Sequence, residues 1–171
     1  MKINRDVLYG IISGALVCGF VLVEYFLGFH TTKIGQGKYL SYFGVVIPIT
    51  IIVIAILYKK KNGDGYLDPK DGMKTGIIIS LITGIITTFF MMLYNSYINP
   101  EFFNIAMDYQ TKLFKEAGKT PEEITAILEQ YKANQKLSAQ LVSGLIGTPL
   151  MGMLPSLIIT MILRKARPSN V

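Results

Sequence analysis

Four stretches of this chain carry almost no charge, and each is long enough to cross a lipid bilayer. They lie at about 7–29, 39–58, 74–98 and 138–163. A helix rises about 1.5 Å per residue, so about 20 apolar residues cover about 30 Å of hydrocarbon. Glu24 is the one charge inside the first stretch, and Lys74 stands at the edge of the third. Helices of soluble proteins keep a polar face, and residues 39–58 and 75–94 have no charged face at all. The sequence therefore predicts an all-α, polytopic membrane protein of one domain. Its expected architecture is a four-transmembrane-helix bundle, with residues of about 99–137 forming an extracytoplasmic amphipathic helical hairpin between spans 3 and 4.

The net charge of +6 would also suit a nucleic-acid-binding domain. Here, however, the basic residues flank the apolar runs instead of forming one face or tail, which is the membrane pattern. The bilayer is the expected partner, and no nucleic acid is. Lys2 and Arg5 precede the first run as they would in a signal peptide, but Glu24-Tyr25-Phe26-Leu27-Gly28 offers no small-x-small cleavage site. The first run reads as a retained span. Cys18, the single cysteine, has no internal disulfide partner and reads as a small packed hydrophobe.

An even number of spans puts both termini on one side. That side holds Lys2, Arg5, Lys59, Lys60, Lys61, Lys70, Lys74, Arg164, Lys165 and Arg167, most of them abutting a helix end. The opposite side holds Lys33, Lys38, Lys112, Lys115, Lys119, Lys132 and Lys136, spread over a longer stretch that also carries acids. The positive-inside bias then places both termini in the cytoplasm.

The hairpin has the clearest local signals. Asn99 and Pro100 read as cap and first residue of its first helix, and Gly118 as its stop. Thr120-Pro121-Glu122-Glu123 reads as a capping box opening the second. Phe102, Ala106, Tyr109 and Leu113 share one face of the first helix, and Ile124, Ile127, Leu128 and Tyr131 one face of the second.

Within the spans, small residues recur every four positions, which lets helix backbones approach closely in lipid. The third span carries Gly72, Gly76, Ser80, Gly84 and Thr88; the first carries Gly10, Gly14 and Cys18; the fourth carries Gly144, Thr148 and Gly152. These rows are expected to be helix–helix seams, within one chain or between copies. Prolines fall mid-span at Pro48, Pro149 and Pro155. Each deletes a helix hydrogen bond and frees the carbonyl four residues earlier, at Gly44, Leu145 and Met151, so each is a candidate kink.

Glu24 and Asn95 are the candidate polar groups inside the membrane, expected at similar depth and as possible partners. Glu24 reads either as an interfacial carboxylate that reaches water or pairs with His30 or Lys33, or as a proton- or cation-binding group. No metal, cofactor or catalytic residue is expected: His30 is the sole histidine, and no phosphate-cradling loop or nucleophile elbow is present. The loop KKNGDGYLDPKDG has the spacing of part of a calcium loop, with Asn62, Asp64, Gly65 and Asp71 at ligand and turn positions. Lys60 then falls where a carboxylate is needed, so it reads as a polar turn, with Asp68-Pro69 opening the next helix.

Several of these elements recur together in a known order. A basic cluster is followed by GYL at 65–67, then by GMKTGIIISLITGIITTFFMMLYNSYINPEF at 72–102, a charged hairpin, and a final span ending in basic residues. Tyr9-Gly10 with Gly14, and IPI at 47–49, fit the same pattern. The chain resembles the small bacterial membrane proteins grouped as domain of unknown function 4199, over nearly its whole length. Asp68-Pro69 departs from the Ser-Phe that often follows GYL in relatives. The resemblance implies the four-span topology and a bacterial inner (plasma) membrane, and implies no activity, cofactor or catalytic residue. The expected function is thus a non-enzymatic integral membrane protein acting by helix–helix or partner association, as a homo-oligomer or with another membrane protein. The alternative is a small transporter or channel subunit using Glu24 and Asn95.

Overall fold

The computed structural model describes residues 4–63 and 65–163, apart from the side chain of Lys38. Lys2, Asp64, Arg164, Lys165 and Arg167 lie outside the described residues. The described chain is helical throughout, without strands. Four helical segments are long and apolar enough to cross a membrane: α1 (Arg5–Phe26), α2 (Ile34–Asn62), Pro69–Ile98 and Leu137–Leu163. The third comprises α3 (Pro69–Leu93) and a wide, π-helical turn at Tyr94–Ile98. Between the third and fourth lies the hairpin, α4 (Phe102–Glu116) and α5 (Pro121–Asn134). The fourth comprises α6 (Leu137–Val142), a second π-helical turn at Ser143–Gly147, and α7 (Thr148–Leu163).

Local chemistry accounts for most helix ends. Asn4 caps α1 by accepting from the Asp6 N–H at 3.0 Å, and Asp68 caps α3 by accepting from the Lys70 N–H at 2.8 Å, with Pro69 first in the helix. α1 stops at Phe26, short of the expected 29, because Gly28 turns out of the helix with φ 83°. α2 outruns its apolar segment at both ends. Its last turn holds Lys59, Lys60 and Lys61, which favour the negative end of a helix dipole. The capping box forms as expected, Thr120 accepting from the Glu123 N–H and Glu123 from the Thr120 N–H. Gly118, at φ 74°, follows the end of α4. Asn99 is a correction: α4 begins only at Phe102, after Glu101, and the Asn99 side chain is used elsewhere.

The bundle is built for hydrocarbon. Its buried positions are mostly small or hydroxylated, among them Ser13, Thr75, Ser80, Thr83, Ser156 and Thr160. Large apolar side chains such as Phe26, Leu154, Met161 and Ile162 point outward. In lipid there is no hydrophobic gain from bringing helices together, so close backbone approach and internal hydrogen bonds do that work.

α3 is the hub, packed most extensively on α7 and then on α1. Both seams are internal to the chain. Gly72 faces Thr160, Gly76 faces Ser156, Ser80 faces Gly152, and Gly84 and Thr88 face Gly144. On the other side of α3, a Cβ on Gly10 would lie 2.6 Å from Ile82 Cβ, and one on Gly14 would lie 2.9 Å from Ile86 Cβ. The Thr83 hydroxyl donates to the Gly10 carbonyl at 3.3 Å across the same contact.

The end of the bundle near the termini is solid. Ile51, Ile52, Ala55, Ile56, Leu67 and Ile79 form a buried cluster, with Tyr9, Ile159 and Leu163 against it. Asp6 is buried there. It accepts from Lys59 Nζ at 3.0 Å and from the Thr75 hydroxyl at 3.3 Å, while Lys59 also donates to Thr75. The Arg5 guanidinium lies 4.4 Å from the centre of the Tyr58 ring, and Lys60 donates to the last described carbonyl of α7, Leu163, at 2.9 Å. Because the Lys59 head is partly solvated, its ion pair contributes little by itself, and the buried acceptor matters more. Asp6→Ala is expected to cost about 1–3 kcal/mol by stranding Thr75. Asp6→Asn should restore much of the loss in thermal unfolding in detergent.

Candidate functional site

The opposite half of the bundle, toward the hairpin, is hollow. A cavity of about 600 Å³ lies among α1, α2, α3 and the fourth span. Small and ring-constrained residues leave this space: Gly44 and Pro48 on α2, Gly147 in the wide turn and Pro155 on α7 all line it. Its floor includes Ile52, which belongs to the solid cluster at the other end. Its lining includes outwardly exposed side chains, among the apolar ones Val45 at 53% and Met151 at 69%. The cavity therefore opens sideways between α2 and α7, toward the lipid.

Its walls are mainly apolar, and its polar end is built around Glu24. Glu24 is buried at 3% exposure. The Ser41 hydroxyl divides its single hydrogen between Glu24 Oε1 at 3.0 Å and the Gly37 carbonyl at 3.1 Å, and His30 Nε2 lies 3.6 Å from Oε2. His30 Nδ1 lies 2.7 Å from the Tyr94 hydroxyl, and Asn99 Nδ2 donates to that hydroxyl at 3.1 Å and to the His30 carbonyl at 3.4 Å. A carbonyl can only accept, so the Asn99 amide must present its nitrogen here. Tyr94 accepts from Asn99 and shares one hydrogen with His30 Nδ1, given by the phenol where the ring is protonated on Nε2. In that tautomer the imidazole hydrogen on Nε2 faces Glu24. The polar chain thus runs from Asn99 through Tyr94 to His30, with Glu24 3.6 Å beyond and Ser41 on its other side. Burial pushes the His30 pKa below its ordinary value, in keeping with a neutral ring.

Aromatic packing holds this network. Tyr94 is fully buried, and its ring meets Tyr25, Phe90, His30 and Phe102 at centroid distances of 5.6–6.1 Å. Phe102, at the start of α4, lies over His30 at 4.6 Å. Beyond Phe102 is a second pocket of about 400 Å³, between α2 and α4. His30, Ser41 and Phe102 line both spaces, so they form a neck between them. α4 is seated over this pocket by Tyr109, whose hydroxyl would lie 2.9 Å from a Cβ on Gly35.

A family model described as a protein of unknown function, DUF4199, matches residues 8–165. The chain belongs to the DUF4199 family. Among the curated proteins and among the solved structures, nothing matches it.

In this DUF4199 chain the two polar residues expected inside the membrane do not meet. Glu24 lines the large cavity, whereas Asn95 lines smaller clefts beside α6 with Gln135 and Gln140. The Asn95 Oδ1 atom is buried without a hydrogen bond. Equal depth along two helices does not fix which way each residue faces. Of the partners expected for Glu24, His30 is the one found. Pro48 and Pro155 lie inside α2 and α7. Pro149 is second in α7, just after the Ser143–Gly147 turn. The wide turn thus adjoins the position where Pro149 withholds its N–H from Leu145.

Tyr94, Asn99 and Ser41 were not legible as site residues. Residues five apart diverge by about 140° around an α-helix, so nothing in the sequence pairs Tyr94 with Asn99. The π-helical turn does so, with the Asn99 N–H bonding the Tyr94 carbonyl at 2.8 Å.

Proposed function

We propose that this protein is a non-enzymatic membrane protein that binds an amphipathic small molecule. The tail occupies the cavity between α2 and α7, and the polar head is held at the Glu24–His30 neck. One observation carries the reading: a largely apolar space of about 600 Å³ open toward lipid, with a buried carboxylate at its far end. Pockets of this size that are apolar with a few convergent polar groups are typical small-molecule sites. Leaving such a space without atoms forfeits dispersion contacts, so a chain-like ligand stabilises the bundle as it binds.

Association through the small-residue rows has less support, because each row is already occupied by another helix of the same chain. The transporter reading is retained in its first step, ligand capture at Glu24, without Asn95. The basic residues at the end near the termini, Arg5, Lys59, Lys60, Lys61, Lys70 and Lys74, favour a cytoplasmic placement of that end. The ligand would then be taken up in the outer half of a bacterial inner membrane, with α4 and α5 outside.

Gly44→Leu tests the reading. A Cβ at Gly44 meets only the Phe20 ring, at 3.7 Å and beyond, so the larger side chain enters the cavity without striking backbone. With hexadecanol as a neutral probe, titrated into the detergent-solubilised protein and read by native mass spectrometry, the native chain is expected to take up one molecule. Gly44→Leu should weaken that uptake on the order of tenfold, as the volume is filled, while thermal unfolding stays unchanged. Equal uptake by both proteins would sink the proposal.

A further inference from the structure

The second pocket, beyond the neck, says what kind of head the ligand carries. Four aromatic residues line it: Phe29, Tyr42, Phe102 and Tyr109. They come from the α1–α2 connection, from α2 and from α4, so the pocket exists only where the hairpin docks on the bundle. Ser41 and His30 connect this aromatic wall to Glu24.

Glu24 is poorly compensated where it stands. An ionised carboxylate accepts hydrogen bonds at about four sites on its two oxygens. Ser41 supplies one at 3.0 Å, shared with the Gly37 carbonyl, and His30 stands off at 3.6 Å, outside hydrogen-bonding distance. Where the Tyr94 hydroxyl donates to Nδ1, the imidazole is neutral and brings no positive charge. Among the described residues lining the cavity and the pocket there is no Lys or Arg. A buried carboxylate without a counter-charge is costly. Among the described residues, the same lining offers the phosphate of an anionic or zwitterionic headgroup no cationic side chain.

We infer that the pocket between α2 and α4 binds an alkylated ammonium headgroup among Phe29, Tyr42, Phe102 and Tyr109, with Glu24, which lines the adjoining cavity across the His30–Ser41 neck, as its counter-charge. Aromatic faces attract quaternary ammonium through their quadrupoles, most strongly when water is excluded. A weakly hydrated head of this type suits a site walled largely by rings. This inference rests on the amphiphile reading above, and it adds the head to a tail lying in the α2–α7 cavity. Phe102, at the neck and at the first turn of α4, is where the two parts of the ligand join.

The test uses the full chain in a neutral detergent with three probes of equal chain length: hexadecyltrimethylammonium, hexadecyl sulfate and hexadecanol. The ammonium probe is expected to bind about tenfold more tightly than the other two. Glu24→Gln should abolish that preference, bringing the ammonium probe to within about twofold of hexadecanol. Tyr42 is 65% exposed, so Tyr42→Leu leaves the fold intact and should reduce the ammonium preference on the order of threefold. If all three probes bind alike and both variants leave the ranking untouched, the ammonium assignment is overturned and the amphiphile reading stands. If no probe binds the native chain, both fall.

Discussion

Gly76→Leu is expected to prevent the bundle from forming, giving aggregated or unfolded protein in detergent where the native chain gives one folded species. A side chain at Gly76 runs into Ser156, and its first atom alone would lie 2.9 Å from the Gly152 carbonyl. Backbone cannot step aside as a flexible side chain can. The only relief is for α3 and α7 to part, and parting them also breaks the contacts of Gly72 with Thr160 and of Ser80 with Gly152. Overpacking in a well-fitted core costs about 1–3 kcal/mol when neighbours can adjust. Here they cannot, and the loss approaches a sizeable part of the roughly 5–15 kcal/mol that holds a typical domain folded. Gly19 is the control. Nothing lies within 4 Å of a Cβ placed there, so Gly19→Leu should unfold at the native temperature. The same comparison separates two roles for the row. A Gly76→Leu chain that folds normally and only changes its oligomeric state would show that the row serves contacts between copies.

The features legible in the sequence are those fixed by solvent or by local chemistry. Hydrocarbon thickness dictates span length, so the four spans were readable from the spacing of charges. Small residues every four positions must lie on one stripe of a helix, so Gly72, Gly76, Ser80 and Gly84 announced a seam, although not which helix would fill it. Thr120 and Glu123 announced their own capping box. The candidate site depends on quantities that no local pattern carries. Glu24 and Asn95 are expected from their positions at one depth, but the way each faces is set by how α1 and the third span rotate against each other. Asn99 looked like a cap because it precedes Pro100. The π-helical turn instead carries it to Tyr94, and α4 starts beyond Glu101. The cavity is a space between helices, made in part by what Gly44 and Gly147 lack, and absent atoms have no sequence periodicity.

Tyr94→Phe isolates the network from its packing. The substitution keeps the ring against Tyr25, Phe90 and Phe102 and removes only the hydroxyl. Two buried groups then lose a partner: His30 Nδ1 loses its donor, and one Asn99 amide hydrogen loses its acceptor. Leaving buried polar groups unpaired costs about 1–3 kcal/mol, and Tyr94→Phe is expected to lower stability in detergent by that amount. Tyr94→Ala also removes a fully buried ring and should cost about 3–5 kcal/mol. The single hydroxyl has a second consequence. With Tyr94 donating, the imidazole hydrogen sits on Nε2 and faces Glu24. Without that donor, Nδ1 is free to carry the hydrogen, and a lone pair on Nε2 would then face the carboxylate. Imidazole nitrogen shifts in the labelled protein report which nitrogen is protonated. The native chain should show the Nε2–H form, and Tyr94→Phe a mixture. Glu24 would then lose the hydrogen that His30 turns toward it, so ammonium binding should change together with the tautomer. If the variant is as stable as the native chain and its imidazole signals do not move, then Tyr94 does not orient His30, and Glu24 stands at the neck without the relay behind it.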